Sequence, residues 1–178
     1  SVYNAVTRLG FEAIITDDFK TLQNADKVIF PGVGEASSAM AYLKEKGLDE
    51  VIKNLKQPTL GICLGQQLMC QHSEEGNTDC LGIYPVKVKL FPSTVKVPQM
   101  GWNTIYDLKT SLFNKTEKDS DIYYVHSFYC ENSKYTIAKT DYILEYSAAL
   151  HKDNFYATQF HPEKSAGIGE QILKNFLS

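Results

Sequence analysis

The sequence has no apolar run of about 18 residues, which excludes a helix long enough to span a bilayer. It has four cysteines, Cys63, Cys70, Cys80 and Cys130, and no C-x-x-C pair among them. That spacing argues against a disulfide scaffold and a cysteine zinc cluster, so no metal is expected. An excess of one charge is also lacking. Lys and Arg total 18 against 21 Asp and Glu, a formal net charge of −3. This balance is too even for a basic nucleic-acid surface or an acidic tail. There is no internal repeat, low-complexity tract or evident linker. The first residues do not resemble a secretory leader, so mostly buried thiols in a reducing, cytoplasmic compartment are expected. What is present is ordinary globular composition: 178 residues, 43% of them hydrophobic. One domain over residues 1–178 is expected, with a core that needs no staples.

The first third alternates helix and strand. Val2, Val6 and Leu9 lie on one helical face that Gly10 can end, and Phe11–Thr16 reads as a strand. Val28–Phe30 is a short apolar run stopping at Pro31-Gly32, as suits a buried parallel strand. Glu35–Lys46 and Leu48–Leu55 read as helices, Thr59–Cys63 as a strand, and Leu64 to about His72 as a helix. Beyond this the pattern alternates, in Tyr84–Leu90, Trp102–Leu108 and Tyr135–Lys139, with aromatic-rich strands at Ile122–Val125 and Phe155–Phe160. Glu170–Leu177 closes the chain as an amphipathic helix. The expected fold is α/β: a mixed, mostly parallel central sheet flanked by helices in three layers, with additional antiparallel strands.

Gly61-Ile-Cys63-Leu-Gly65 places a cysteine between two glycines where a strand passes into a helix. A tight strand-to-helix turn lifts such a side chain out of the sheet, and flanking glycines avoid collisions with neighbouring backbone. The backbone N–H of Leu64 then points to the same place from a helix N-terminus. That favours negative charge on the sulfur or on a developing oxyanion. A buried structural cysteine is the competing reading of the motif in isolation.

A cysteine that attacks an acyl group needs a base, and the base needs an orienting partner. Of the four histidines, His72 reads as a solvated helix end, His151 as part of a polar turn, and His126 equally as core or functional. His161 ends a strand and precedes Pro162-Glu163, which fixes the turn. A carboxylate two residues from a histidine can accept from one ring nitrogen and set its tautomer. Cys63, His161 and Glu163 therefore form a candidate triad.

These segments, Gly61-Ile-Cys63-Leu-Gly65-Gln-Gln67 and Gln159-Phe-His161-Pro-Glu163, resemble the triad-type class I glutamine amidotransferase family. Pro31-Gly-Val-Gly34, Pro98-Gln-Met-Gly-Trp102-Asn103, Tyr124-Val-His126-Ser127-Phe128 and Lys164-Ser165 narrow the resemblance. They are similar to the branch that supplies ammonia to imidazole glycerol phosphate synthase in histidine biosynthesis. The resemblance implies that Cys63 attacks the glutamine amide, His161 protonates the departing ammonia and Glu163 orients His161. Leu64 N–H with a backbone N–H near Val33 or Gly34 would hold the oxyanion. Gln67, Ser127 and Phe128 would bind glutamine, without a cofactor. Gly101, Trp102, Asn103 and Lys164 would face a (β/α)8-barrel synthase subunit in a heterodimer. The family's sheet begins with a strand preceding the helix at Ser1, so this chain is expected to lack its first strand. An ammonia supplier for surface-sugar amination and a non-catalytic regulatory partner of the same fold remain open alternatives.

Overall fold

The computed structural model describes residues 1–32 and 34–178. The helices are α1 (Val2–Arg8), α2 (Phe19–Asn24), α3 (Ala36–Lys46), α4 (Leu48–Lys53), α5 (Leu64–Met69) and α6 (Ala166–Leu177). The first strands are β1 (Val28–Gly32), β2 (Thr59–Cys63), β3 (His72–Ser73), β4 (Thr78–Asp79), β5 (Lys87–Leu90) and β6 (Gln99–Ile105). The rest are β7 (Ser120–His126), β8 (Phe128–Cys130), β9 (Thr136–Tyr142), β10 (Leu144–Lys152) and β11 (Phe155–Thr158).

Local chemistry sets several of these boundaries. Glu35 caps α3 by accepting the backbone N–H groups of Ser37 and Ser38, and Gly47 ends it at φ 72°. Asp18 caps α2 through Thr21 N–H, in a stretch read from sequence only as polar. Two other expectations fail here. Helix α5 stops at Met69, and His72 sits instead in β3 with Nδ1 2.8 Å from Asp79. His151 lies in β10, not in a turn, and its ring stacks on Tyr156 at 4.2 Å.

The main sheet runs β1-β2-β11-β10-β8-β5-β3-β4, with β9 also paired to β10. The expected parallel character belongs to the part that carries the cysteine turn, where β1, β2 and β11 run parallel. Among the described residues five of the eight pairings in this sheet are antiparallel, because the second half of the chain adds hairpins. Strands β6 and β7 form a separate antiparallel ribbon. Phe11–Thr16 joins no ladder, contrary to its strand-like sequence. Among the described residues β1 pairs only with β2, and Ile14 and Ile15 are 76% and 84% exposed. An apolar run makes a strand only where a neighbour receives its backbone groups.

Two apolar clusters cover the two faces of the sheet. One gathers Leu60, Ile62, Ile105, Ile122 and Tyr124 with Ile172, Leu173 and Phe176 of α6 and Ala5 of α1. The other gathers Met40, Leu43, Leu48, Ile52, Leu64 and Leu68 from the helices on the opposite side. Helix α5 lies so close to β1 that only glycine fits between them. A Cβ on Gly65 would stand 2.0 Å from the Phe30 carbonyl oxygen, and one on Gly32 2.6 Å from Gly65 N. Both groups are backbone and cannot swing aside. Gly65→Ala is therefore expected to destabilise the fold by about 3 kcal/mol. A thermal melt would read this as a Tm about 10 °C lower; an unchanged Tm would contradict the close packing.

Candidate active site

Strand β2 delivers Cys63 to the sheet's C-terminal edge, and α5 starts at the next residue. Cys63 has φ 56° and ψ −111°, a conformation disfavoured for a residue with a Cβ. Such strain persists only where surrounding structure over-determines it, as the glycine packing of α5 against β1 and β2 does here. The bend leaves the thiol half-buried. Its polar neighbours are the Val125 carbonyl oxygen, to which the S–H points at 3.7 Å, and Gln159 Nε2, which donates to Sγ at 3.7 Å.

Strand β11 runs beside β2 and carries the chain to His161. The backbone N–H of His161 donates to Tyr123 O at 3.0 Å, and its carbonyl accepts from Ser165 Oγ at 2.6 Å. Ser165 Oγ also accepts from Tyr123 N–H at 2.9 Å, so β7 and the turn after His161 hold one another. Pro162–Lys164 forms a single 3-10 turn. Within it Glu163 reaches back, and its Oε2 lies 2.9 Å from His161 Nδ1. Since a carboxylate only accepts, the proton in this contact belongs to Nδ1. Nε2 is thereby left for chemistry.

Burial opposes charge on the His161 ring. The facing Cys63 sulfur and the Glu163 carboxylate outweigh that and raise His161 to about 9. The Glu163 side chain is 3% exposed, and its Oε1 has no hydrogen-bond partner among the described residues. A buried carboxylate left with one unpaired oxygen is not an ordinary surface cap. Cys63 on the β2–α5 turn and the His161–Glu163 pair after β11 thus come together from two places in the sequence.

The other expected positions are placed as follows. Leu64 is the first residue of α5, where a helix N–H lacks an internal acceptor. Gly34 is exposed at φ 88°, and Val33 lies outside the described residues. The Gln67 side chain is buried, and its Nε2 donates to Phe128 O at 3.0 Å and Gln159 Oε1 at 2.9 Å. Ser127 and Phe128 stand where β7 leads into β8, and Ser127 O accepts Phe91 N–H at 3.2 Å. Gly101, Trp102 and Asn103 belong to β6, with Trp102 56% exposed. Asn103 is tied inward, its Nδ2 donating to Asp141 O at 2.8 Å. Lys164 is exposed beside the triad turn.

Gln159 received no role from sequence, yet it is fully buried and bridges Gln67 to the Cys63 sulfur. Its parity was the available signal: in an extended segment, residues two apart share a face, and Gln159 precedes His161 by two. His126, undecided from sequence, is core: 6% exposed and hydrogen-bonded through both ring nitrogens.

A strained cysteine, a histidine charged by it and a buried carboxylate are equipped for acyl transfer. The comparisons agree on family. A model of the glutamine amidotransferase class-I family matches residues 2–178. The chain is 61% identical over 180 residues to imidazole glycerol phosphate synthase subunit HisH of Bacteroides fragilis, covering 99% of this chain and 92% of that protein. It is 46% identical over 178 residues to the protein of the same name from Idiomarina loihiensis, covering 99% and 90%. In structure it is similar to a putative GMP synthase component of Thermoplasma acidophilum, with TM-score 0.73, 19% identity and coverage of 99% and 84%. The glutaminase domain of Trypanosoma brucei CTPS superposes with TM-score 0.67 at 16% identity, covering 99% and 88%, which speaks for the fold alone. The chain belongs to the class-I glutamine amidotransferase family.

Proposed function

We propose that this chain is the glutaminase subunit of an imidazole glycerol phosphate synthase, acting in the cytoplasm as one domain over residues 1–178. It hydrolyses L-glutamine to glutamate and ammonia and passes the ammonia to a (β/α)8-barrel partner in histidine biosynthesis. The observation that carries the reading is the meeting of Cys63, His161 and Glu163 in a chain 61% identical to a HisH subunit.

Cys63 sulfur attacks the side-chain amide carbon, and the carbonyl oxygen takes negative charge. Leu64 N–H, with a second N–H from the Pro31–Gly34 segment, receives that charge. His161 gives its Nε2 proton to the departing amine, which leaves as ammonia, and a glutamyl thioester remains. The neutral ring then takes a proton from water as the water oxygen attacks the thioester carbon. The C–S bond breaks, glutamate leaves, and the sulfur and His161 return to their starting state. Glu163 keeps the Nδ1 proton in place throughout. Gln67 and the backbone of Ser127 and Phe128 hold the substrate.

The partner surface is read from β6. Met100 and Trp102 are 66% and 56% exposed, and an open groove of about 420 Å³ runs from them to Tyr142 and Ile143. Exposed aromatic and methionine side chains grouped in this way fit a protein interface. The surface also lies one strand from the chemistry: Trp102 faces Tyr123 edge-on at 5.8 Å, and Tyr123 O holds the His161 backbone. Gly101, Asn103 and Lys164 border it in this reading.

Glutamate release measured with and without the synthase partner tests the proposal. Release is expected to rise when the partner and its phosphoribulosyl substrate are added. Trp102→Ala is expected to weaken the complex about 30-fold in Kd. Absence of glutamate release in the presence of partner and substrate would refute the assignment.

A further inference from the structure

The ribbon of β6 and β7 stands between the exposed Trp102 surface and the cysteine, and one buried residue ties it to the main sheet. Gln99, the first residue of β6, pairs with His126, the last residue of β7. His126 lies against the Phe128 carbonyl, with Nδ1 2.6 Å from that oxygen. A carbonyl only accepts, so Nδ1 carries the proton and donates it. The contact closes the backbone around Ser127, where β7 passes into β8 of the main sheet. The same Phe128 oxygen receives Gln67 Nε2 at 3.0 Å. Gln67 in turn meets Gln159, whose amide lies 3.7 Å from Cys63 Sγ.

On its other side, His126 Nε2 is 2.9 Å from both the Tyr146 hydroxyl and the Gln99 carboxamide, which are 2.6 Å from each other. Burial pushes the ring down to about 4, so it is neutral at working pH, with Nε2 an acceptor. A neutral ring carries one proton, and Phe128 already takes it. The tautomer is fixed by the pocket side; the one group that can donate to the other nitrogen is the Tyr146 hydroxyl, which also reaches Gln99 Oε1, an acceptor, so the docking strand meets the ring through that shared hydroxyl. Gln99 has no other hydrogen-bonded side-chain partner among the described residues than this ring and Tyr146. A displacement of β6 at Met100 and Trp102 therefore acts directly on the Gln99 carboxamide and, through the Tyr146 hydroxyl it shares, on His126.

We propose that His126 is a positioning residue for the glutamine pocket: it fixes the Ser127–Phe128 backbone that receives the substrate and couples it, through the Tyr146 hydroxyl and Gln99, to partner docking on β6. It touches neither the sulfur nor the scissile amide. This rests on the glutaminase reading above and adds the route by which docking alters the site. Packing alone would be met by any side chain of similar size. Positioning requires the two ring nitrogens to do different work.

Two substitutions separate those tasks. In His126→Asn the amide nitrogen stands near the position of Nδ1, which keeps the donor to Phe128 O and loses the link to Gln99. In His126→Gln the amide reaches the Nε2 position and removes the ring's donor to Phe128 O, leaving that oxygen only the Gln67 contact. Glutaminase kinetics would be measured on the chain alone and on its complex with the synthase partner, with thermal melts of each variant. His126→Asn is expected to keep the glutamine KM within about twofold and to lose about tenfold in stimulation by the partner. His126→Gln is expected to raise KM about tenfold with kcat changed less than about threefold, the size of one lost buried hydrogen bond. Gln99→Leu is expected to reproduce the Asn phenotype, which keeps the test open should a His126 variant melt early. Variants that leave both KM and stimulation unchanged, or that lower kcat alone in proportion to lost stability, overturn the proposal. No glutamate release from the wild-type complex would overturn the parent reading, and this inference with it.

Discussion

Cys63→Ala removes partner-stimulated glutamate release, with kcat falling by at least about 10⁴-fold, on the scale seen when the nucleophile of a triad is deleted. The effect is large because no neighbouring group can replace the sulfur. Besides His161, its polar contacts are Val125 O, an acceptor without nucleophilic use here, and the Gln159 amide. Cys70 and Cys130 are fully buried and pair with each other at 3.6 Å, and burial pushes Cys70 well up. Cys80 is likewise raised, to about 11, by burial first and then by Asp79. Burial thus holds Cys70 and Cys80 in the thiol form at neutral pH, and Cys130 is sealed from solvent beside Cys70. The variant should still fold, because alanine removes one half-buried atom and keeps the backbone turn. The φ of 56° at this position remains a cost in either protein. His161 supplies a second readout. The facing sulfur is one of the two groups that raise it, so its titration should move downward in Cys63→Ala. The experiment is steady-state glutamate release on the complex, with NMR titration of His161. Retained release would exclude the thioester route whatever the fold.

The cysteine turn was legible because its constraint is local. A strand, a helix start and two glycines lie within seven residues, and the steric reason for the glycines does not depend on the rest of the chain. The triad turn was legible for a related reason, since Pro162 fixes the backbone that brings Glu163 back to His161. What the chain's order concealed is what depends on distant neighbours. Phe11–Thr16 has strand composition but no ladder partner in the structure, and composition cannot report a missing partner. Strand β10, the centre of the antiparallel half, went unread. It is flanked by β9, β8 and β11, so its centre, Tyr146–Leu150, is buried without a break and does not alternate. His126 and Gln99 stand 27 positions apart and meet only through the β6–β7 register. The resemblance implied that Gln67 binds substrate; its Nε2 is engaged with Phe128 and Gln159. Parallel pairing of β1, β2 and β11 is what sets Cys63 and His161 side by side, since both leave the same sheet edge one strand apart.

Glu163→Gln should lower kcat by about 10² to 10⁴-fold while leaving the glutamine KM within about threefold, because orientation is preserved in part and charge is not. The glutamine side chain has the same length, and its oxygen can still accept from Nδ1. What it removes is one of the two influences that hold His161 at about 9 against the opposing effect of burial. The sign of the pH effect follows. Ammonia departure needs His161 protonated, so activity declines as pH rises through the folded value, near 9 in the wild type. Without the carboxylate that limb moves to lower pH, and the variant loses proportionally more activity at pH 8.5 than at pH 6.5. Stability shifts the same way. His161 is raised above its unfolded value of about 6.5, so its contribution is full below that pH and is lost as pH rises toward 9. Glu163→Gln should therefore cost more stability at pH 6 than at pH 10, where the wild-type ring is already neutral. Chemical denaturation at the two pH values, beside a kcat profile of the complex, reads both effects. An upper limb at the wild-type pH would mean that Glu163 does not charge His161, and the buried carboxylate would then need another explanation for its unpaired Oε1.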